Sequence, residues 1–267
     1  MIIAIIQVRM GSTRLPEKAL KQILGKPMLW HLINRIKEAK LVDKVVIATT
    51  TNKEDKMIIN FAKENGIDYY AGSENDIVDR LYMTAKKFGA EAIVRITGDC
   101  PLIEPKIIDK AVEYYLKNKD RIDYVSNVYP PTYPDGLDVE IYPFKTLERM
   151  GREIKDPFGR EWVYTYIIEN PDKFRIANIE NKEDLSWMRW TVDYKEDLDF
   201  VREIYKMLYK YDRIFHMEDI LELLRENPKF MEINKKFIRD DAYIKALKER
   251  EKIMKSDKYS HLEYKKR

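Results

Sequence analysis

The 267-residue chain is poor in residue types on which several common functions depend: it has one cysteine, three histidines and nine glycines. The single cysteine, Cys100, excludes a disulfide within the chain and is typical of a reducing cytoplasm. The glycines form neither a G-x-x-x-x-G-K-S/T phosphate loop nor a G-x-G-x-x-G dinucleotide turn, which counts against P-loop kinases and NAD-binding enzymes. The first apolar run, MIIAIIQVR, is too short for a membrane span and lacks a signal-peptide cleavage site. We therefore expect a cytoplasmic protein without membrane partners.

Neither sign of charge dominates, because 49 Lys and Arg residues face 46 Asp and Glu residues, for a net charge of +3. Residues 243–267 hold nine basic and four acidic residues, so this tail carries +5 and the rest of the chain −2. Such a distribution counts against a chain-wide nucleic-acid surface, and we expect no nucleic-acid partner. The length suits one large α/β domain, or one domain with an appendage.

Short apolar segments alternate with amphipathic segments, which is typical of β-α-β units and a mainly parallel sheet. The pattern predicts strands at 2–8, 44–50, 67–70, 91–97, 123–128 and 188–193. It predicts helices at 28–40, 53–66, 74–89, 160–170, 195–210, 217–225 and 230–250. The proline-rich stretch from residue 129, YPPTYPDGLDVEIYPF, predicts a hairpin or arm laid over the opening of the sheet.

The loop after the first strand, QVRMGSTRLPEKAL, concentrates cationic and small residues with almost no acid. Small residues such as Gly11 and Ser12 let backbone N–H groups approach an anion, and Arg9, Arg14 and Lys18 neutralise phosphate oxygens. Ligands of open α/β sheets bind outside the carboxyl ends of the strands, where this loop lies. The loop therefore predicts a polyphosphate site, although an ordinary solvated basic loop explains it equally well in isolation.

Two acids follow predicted strands. Asp99 lies in VRITGDCPLI and Asp193 in MRWTVDYKEDLDF. Strand-end carboxylates can share a hard cation, and Mg²⁺ bound to substrate phosphates commonly uses only one or two protein carboxylates. The pair therefore predicts an Mg²⁺ site, with helix or turn capping as the alternative role of each acid.

No general base stands out. His31 lies on the apolar side of the first helix and is expected to be a core residue, whereas His216 and His261 come late in the chain. Cys100 lies next to Asp99, but the sequence places no histidine beside it, so we interpret it as a small buried residue.

An ordered series of motifs resembles the spore coat polysaccharide biosynthesis protein F group of the acylneuraminate and 3-deoxy-manno-octulosonate (KDO) cytidylyltransferase superfamily. The resemblance covers roughly residues 1–250. Its motifs are IIQVRMGSTRLPEKAL, VVIATTTNKEDKMI, GSENDIVDRLY, VRITGDCPLIEP, TYPDGLDVEIY, REWVYTYIIENP and WTVDYKEDLDFVREIY.

The resemblance implies a Rossmann-like, three-layer nucleotide-diphospho-sugar transferase fold, with a mainly parallel sheet, a β-arm and C-terminal helices. It also implies an enzyme that transfers CMP from CTP to a sugar acid with Mg²⁺, for surface polysaccharide synthesis, and a homodimer. Residues 1–212 would form the nucleotidyltransferase domain, 129–165 an arm toward the acceptor or the partner subunit, and 213–267 a helical extension with a basic tail.

The matching positions imply a role for each residue. Arg9, Lys18 and Asp99 would be catalytic, and Asp99 and Asp193 would hold the metal. The nucleotide would bind Gln7, Val8, Arg9, Gly11, Ser12, Arg14, Lys18, Arg80, Thr97 and Gly98. The sugar would bind Tyr133, Asp135, Asp138, Glu140 and Arg160, although an acid-rich turn and strand would explain the middle three.

Some positions depart from the family pattern. KDO enzymes have Gln where this chain has Thr97 and Glu where it has Cys100, and the spore coat group usually has His where this chain has Trp162. We expect Trp162 to be a packing or sugar-facing residue. Two other functions stay open: a glycosyltransferase that consumes a nucleotide sugar on the same fold, and a non-catalytic nucleotide-binding protein. The acceptor sugar and the choice of CTP over another triphosphate are not fixed by these residues.

Overall fold

A seven-stranded mixed sheet forms the centre of the computed structural model, which describes residues 1–210 and 213–255. Its strands are β1 Ile2–Gln7, β4 Lys44–Thr50, β5 Asp68–Gly72, β6 Ala92–Thr97, β7 Tyr124–Ser126, β8 Glu140–Pro143 and β9 Ile176–Asn178. A separate two-stranded ladder joins β2 Gln22–Ile23 to β3 Lys26–Pro27. The sheet order is β5-β4-β1-β6-β8-β7-β9; the first four are parallel, and β8 runs antiparallel to both β6 and β7.

Helices cover both faces of the sheet. They are α1 Met28–Lys37, α2 Lys56–Glu64, α3 Ile77–Phe88, α4 Pro105–Asn118, α5 Phe144–Glu153, α6 Pro157–Glu161, α7 Thr165–Ile168, α8 Lys195–Leu208, α9 Met217–Glu226 and α10 Asp241–Lys255. Three short 3-10 helices span Lys18–Leu20, Pro171–Lys173 and Pro228–Glu232.

The apolar run of β1 is buried on both sides, as a central parallel strand requires. Because successive side chains point to opposite faces, Ile2, Ala4 and Ile6 pack into the core under α1, α4 and α8. Ile3 and Ile5 pack into a second core under α3 and α5. The result is the three-layer α/β architecture that the sequence predicts.

The four parallel strands and the first three helices are confirmed, with ends that differ from the predicted ones by a few residues. Local capping explains where α3 begins and ends. The Asp76 side chain accepts a hydrogen bond from the backbone N–H of Asp79 at 2.8 Å, and Gly89 takes up the left-handed conformation after the last turn.

The prediction of a strand at 188–193 is wrong. This segment forms only one isolated bridge, between Arg189 and Asp135. Its backbone instead joins two loops: Val192 N–H donates to Asp99 O at 2.9 Å, and Trp190 N–H donates to Asp135 O at 2.7 Å. Residues 189–192 are thus buried in an irregular segment rather than in a strand.

The stretch from residue 129, predicted to form a hairpin or arm over the opening of the sheet, includes β8, which lies within the main sheet between β6 and β7 and pairs antiparallel with β7. The single helix predicted at 160–170 is two short helices, and the one predicted at 230–250 is a 3-10 helix followed later by α10. His261 and the last part of the basic tail, residues 256–267, lie outside the described residues. Among the helices of residues 1–210 and 213–255, none is long and apolar enough to cross a membrane.

Candidate active site

The loops that follow β1 and β6 lie side by side at the carboxyl edge of the sheet. The two strands are in parallel register, with Gln7 beside Thr97, and Gly98 N–H donates to Gln7 O at 2.9 Å. A Cβ atom at Gly98 would lie 2.6 Å from the Val8 side chain. Only glycine therefore allows the two loops to approach this closely.

A cavity of about 340 Å³ opens between these loops. It brings together every residue that the sequence assigned to the nucleotide and the metal, including the distant Arg80 and Asp193. The residues predicted to bind the nucleotide or the metal that line this cavity are Gln7, Val8, Arg9, Gly11, Ser12, Arg14, Lys18, Arg80, Thr97, Gly98, Asp99 and Asp193. We call it the first cavity.

The Lys18 ammonium lies at the centre of the polar contacts of the first cavity. It donates to Asp99 Oδ2 at 2.8 Å, to Asp193 Oδ1 at 2.9 Å and to Val192 O at 2.9 Å. Burial alone would lower the pKa of Lys18, but the two carboxylates outweigh it and raise that pKa above its usual value. Burial likewise opposes ionisation of Asp193, yet Lys18 and Arg14 hold the pKa of its carboxyl group well below the usual range.

Arginines supply a positive field around the same cavity. Arg14 Nη2 lies 2.6 Å from Asp193 Oδ1, and Arg9 Nη1 lies 2.7 Å from Glu74 Oε1. Arg80 is 1% exposed, and within the described part of the chain its Nε has no hydrogen-bond partner. Burial, together with the nearby charges of Arg9 and Arg95, lowers the pKa of Arg80 to about 10. An anion in the cavity would relieve this repulsion.

A second cavity, of about 510 Å³, adjoins the first and shares Arg14, Asp99, Trp162 and Asp193 with it. Its polar wall consists largely of ion pairs, and α10 contributes part of the remaining wall. The pairs are Asp135 Oδ2 with Arg189 Nη1 at 3.0 Å, Asp138 Oδ1 with Arg239 Nη2 at 2.5 Å, and Glu140 with Arg95. From α10 the lining residues are Asp241, Ala242, Tyr243, Ile244 and Leu247.

Not every residue predicted to bind the sugar faces this cavity. Asp135, Asp138 and Glu140 line it, but Tyr133 and Arg160 line neither of the two cavities. The Tyr133 hydroxyl accepts from Lys110 Nζ at 3.0 Å, and Arg160 Nε lies 3.1 Å from Asp76 Oδ2. Both side chains are therefore directed elsewhere.

Several residues of the site were missed by the sequence analysis. Arg95, from the middle of β6, lines both cavities, and Arg189 and Arg239 line the second. Arg95 left a signal in the sequence, since one arginine in an otherwise apolar central strand requires a buried partner. Arg239 left none, because its role depends on where the C-terminal segment packs.

The remaining candidate residues have structural roles. Cys100 is buried, its Sγ lies 3.2 Å from Thr97 Oγ1, and burial with nearby Asp99 raises the pKa of the thiol well above its usual value. His31 Nε2 bonds Ile23 O at 2.8 Å in the core, as predicted. In the described part of the chain, no three His, Cys, Asp or Glu side chains form a metal-binding group.

Cations and two carboxylates meet at the carboxyl edge of this Rossmann-like sheet, and this arrangement suits a nucleotidyltransferase. The family model for cytidylyltransferases matches residues 3–253, and the chain belongs to that family. The predicted resemblance, fold and enzyme class are thereby confirmed.

Relatives agree with this assignment. An uncharacterized protein of Methanocaldococcus jannaschii, MJ1063, is 37% identical over 91% of this chain and 97% of its own length. The spore coat polysaccharide biosynthesis protein SpsF of Bacillus subtilis is 28% identical over 85% of this chain and 95% of its own length. A 3-deoxy-manno-octulosonate cytidylyltransferase of Geobacter sulfurreducens is 40% identical over 44% of this chain and 46% of its own length. The solved structure of a cytidylyltransferase from Leptospira borgpetersenii is 34% identical, with a TM-score of 0.82 over 86% of this chain and 96% of the other.

Proposed function

We propose that the protein transfers CMP from CTP to a sugar acid of the KDO or sialic acid type and releases pyrophosphate, for surface polysaccharide synthesis. The observation that carries the proposal is the first cavity, where Arg9, Arg14, Lys18, Arg80 and Arg95 surround a space of about 340 Å³. A triphosphate is the part of CTP that such a set of cations would bind. The name of the KDO-specific relative supports CTP and a sugar acid as the substrates.

The reaction is an in-line attack of a sugar hydroxyl on the α-phosphorus, in which a new P–O bond forms as the bond to pyrophosphate breaks. The protein contributes chiefly positioning and charge neutralisation. Arg9, Arg14 and Lys18 would stabilise the departing pyrophosphate, because negative charge accumulates there in the transition state. The second cavity would hold the acceptor so that its hydroxyl meets the α-phosphorus at the shared wall.

Asp99 and Asp193 are the residues that would hold Mg²⁺. One oxygen of each carboxylate lies within 2.9 Å of the same point, the Lys18 ammonium nitrogen, so a single cation can reach both. Carboxylate oxygens are the ligands that Mg²⁺ prefers, and phosphates complete its usual coordination in nucleotide sites. When bound, the ion would neutralise phosphate charge.

The test of this function is pyrophosphate release. The protein would be incubated with Mg²⁺, each of four nucleoside triphosphates, and a panel that includes KDO, N-acetylneuraminate, and legionaminic and pseudaminic acids. We expect release with CTP and one of the sugar acids only. If no pair releases pyrophosphate, the proposed function is wrong; release with a different triphosphate would reassign the nucleotide.

We also propose that α10 determines which acceptor is bound. Tyr243 packs its ring against those of Phe158, Trp162 and Tyr164, with centroids 6.1, 5.1 and 5.3 Å away. The start of the helix is fixed by Tyr194, whose hydroxyl donates to Asp241 Oδ2 at 2.9 Å. An aromatic wall of this kind suits the apolar face of a sugar ring.

Replacing Tyr243 should affect the acceptor and spare the nucleotide. We expect Tyr243→Ala to raise the KM for the acceptor about tenfold, equivalent to about 1.4 kcal/mol of lost binding, with the KM for CTP within about twofold of wild type. Steady-state kinetics with each substrate varied in turn would measure both. Tyr243→Phe is the control, because it keeps the ring and loses only the hydroxyl contact with Thr165. Equal changes in both KM values would argue against an acceptor-specific wall.

A further inference from the structure

The contacts of Lys18 saturate its ammonium group. An ammonium has three N–H donors, and here they bond one oxygen of Asp99, one of Asp193 and the backbone carbonyl of Val192, at 2.8, 2.9 and 2.9 Å. The nitrogen thus lies between the two carboxylates that the proposed function assigns to the metal. A divalent cation shared by these carboxylates would have to take the place of the ammonium.

The charges of this group are already balanced without a metal. Asp193 contacts Arg14 at 2.6 Å and Arg189 at 3.3 Å in addition to Lys18, although Arg189 also pairs with Asp135 and Asp197. Two carboxylates therefore face Lys18, Arg14 and part of the Arg189 charge. No surplus of negative charge is left to attract a divalent cation from solution.

A triphosphate in the first cavity would change this balance. Lys18 and Arg14 both line that cavity, so phosphate oxygens there compete with Asp99 and Asp193 for the same two cations. The four-carbon stem of lysine is flexible, and its ammonium can turn from the carboxylates toward a phosphate. This movement would vacate the point between the carboxylates and leave their negative charge uncompensated.

Resting on the proposed function, we infer that Lys18 closes the metal position between Asp99 and Asp193 until a triphosphate draws its ammonium away. Metal and triphosphate then bind with positive coupling, and the metal does not bind alone. The same residue serves both ligands in turn, as an internal cation for the carboxylates and as a partner of the phosphates. Reciprocity requires that the metal also strengthens triphosphate binding.

The test is to titrate the full-length protein with Mn²⁺ in the absence of nucleotide. Electron paramagnetic resonance of the free ion measures how much Mn²⁺ is bound. We expect weak binding by the wild type and at least about tenfold tighter binding by Lys18→Met, which keeps the length of the side chain and removes a charge next to the metal. Lys53→Met is the matched control, since Lys53 is exposed and lines neither cavity, and its affinity should equal that of the wild type. Adding Asp99→Asn to Lys18→Met should abolish the gain.

Equal Mn²⁺ affinity in the wild type and Lys18→Met would overturn the inference, as would a gain that survives Asp99→Asn. If Lys18→Met does not fold, the wild type alone decides: Mn²⁺ binding that is equally tight with and without α,β-methylene-CTP contradicts the coupling, and binding only with the analogue supports it. The outcome is separate from that of the proposed function. If pyrophosphate is released but Lys18→Met does not bind Mn²⁺ more tightly, only the role of Lys18 is wrong. If Lys18→Met binds Mn²⁺ more tightly but no pyrophosphate is released, only the cytidylyl transfer is wrong.

Discussion

Asp99→Asn should lower the rate of pyrophosphate release from CTP at least about 100-fold, which corresponds to about 3 kcal/mol of lost transition-state stabilisation. Asparagine keeps the shape of the side chain but removes the negative charge that faces Lys18 at 2.8 Å and that would hold the metal. The fold should survive, because an amide oxygen can still accept from Lys18 and Asp193 still neutralises that ammonium group. Steady-state rates over a range of Mg²⁺ concentrations, with a thermal unfolding curve of the same sample, would measure both effects.

Asp199→Asn is the matched control for this experiment. Asp199 lies on the exposed side of α8, where it pairs with Lys195 at 2.6 Å, and it lines neither cavity. We expect its rate to match the wild type. A rate close to that of wild type in Asp99→Asn itself would remove this residue from the catalytic group.

Glu140→Ala should cause the largest loss of stability, about 3–5 kcal/mol in the free energy of unfolding. The Glu140 carboxylate is 5% exposed and accepts from the Arg95 guanidinium, from the Tyr124 hydroxyl at 2.6 Å and from the Tyr142 hydroxyl at 2.7 Å. Its removal leaves an arginine charge and two hydroxyl donors buried in the sheet without their acceptor, and the cost of that burial is large. Urea unfolding followed by circular dichroism would measure the change.

Two further variants separate the cause. Glu140→Gln keeps an acceptor and removes the charge, so its loss should be smaller than that of Glu140→Ala. Glu153→Ala removes a carboxylate that also accepts from an arginine and a tyrosine, Arg149 and Tyr166, but at the surface of α5. Exposed ion pairs contribute little, and we expect a change below about 1 kcal/mol. Equal losses for Glu140→Ala and Glu153→Ala would contradict the importance of burial.

The contacts of Glu140 also bear on which acid would touch the proposed acceptor. The family resemblance implies that Glu140 binds the sugar, and Glu140 does line the second cavity, but its oxygens are already engaged by Arg95 and two tyrosines. Within residues 1–210 and 213–255, Asp138 has one ion-pair partner, Arg239, and its side chain is 27% exposed, against 7% for Glu140. Among the predicted acids, Asp138 is therefore the better candidate for a direct contact with the acceptor.

Local pattern was sufficient for the parallel half of the sheet and for bringing the cations after β1 and the acid after β6 to the first cavity. Apolar runs such as IIAIIQV can only be buried on both faces, and parallel strands place their carboxyl ends at one edge. The cations after β1 and the acid after β6 therefore had to meet. The family resemblance added Arg80, which lies 62 residues after Lys18 in the chain.

Residues that are far apart in the chain but meet in space could be located only from the tertiary structure. Asp193 reaches the site on an irregular segment that is held by the Asp99 and Asp135 loops, whereas the sequence predicts a strand there. β8 lies beside β6 in the sheet, and there its Glu140 pairs with the buried Arg95. Tyr133 and Arg160 have suitable chemistry but are turned toward Lys110 and Asp76.

The sequence by itself determined the class of fold and the chemistry at the ends of β1 and β6, because hydrophobic period and strand-end loops are local properties of the chain. Only the tertiary structure decided that the Lys18 ammonium lies between Asp99 and Asp193, and that α10 lines the second cavity. Both depend on contacts between distant segments of the chain. Lys18 and Asp99 are 81 residues apart, and Arg239 and Asp138 are 101 residues apart. Such contacts arise from packing, and no periodicity encodes them.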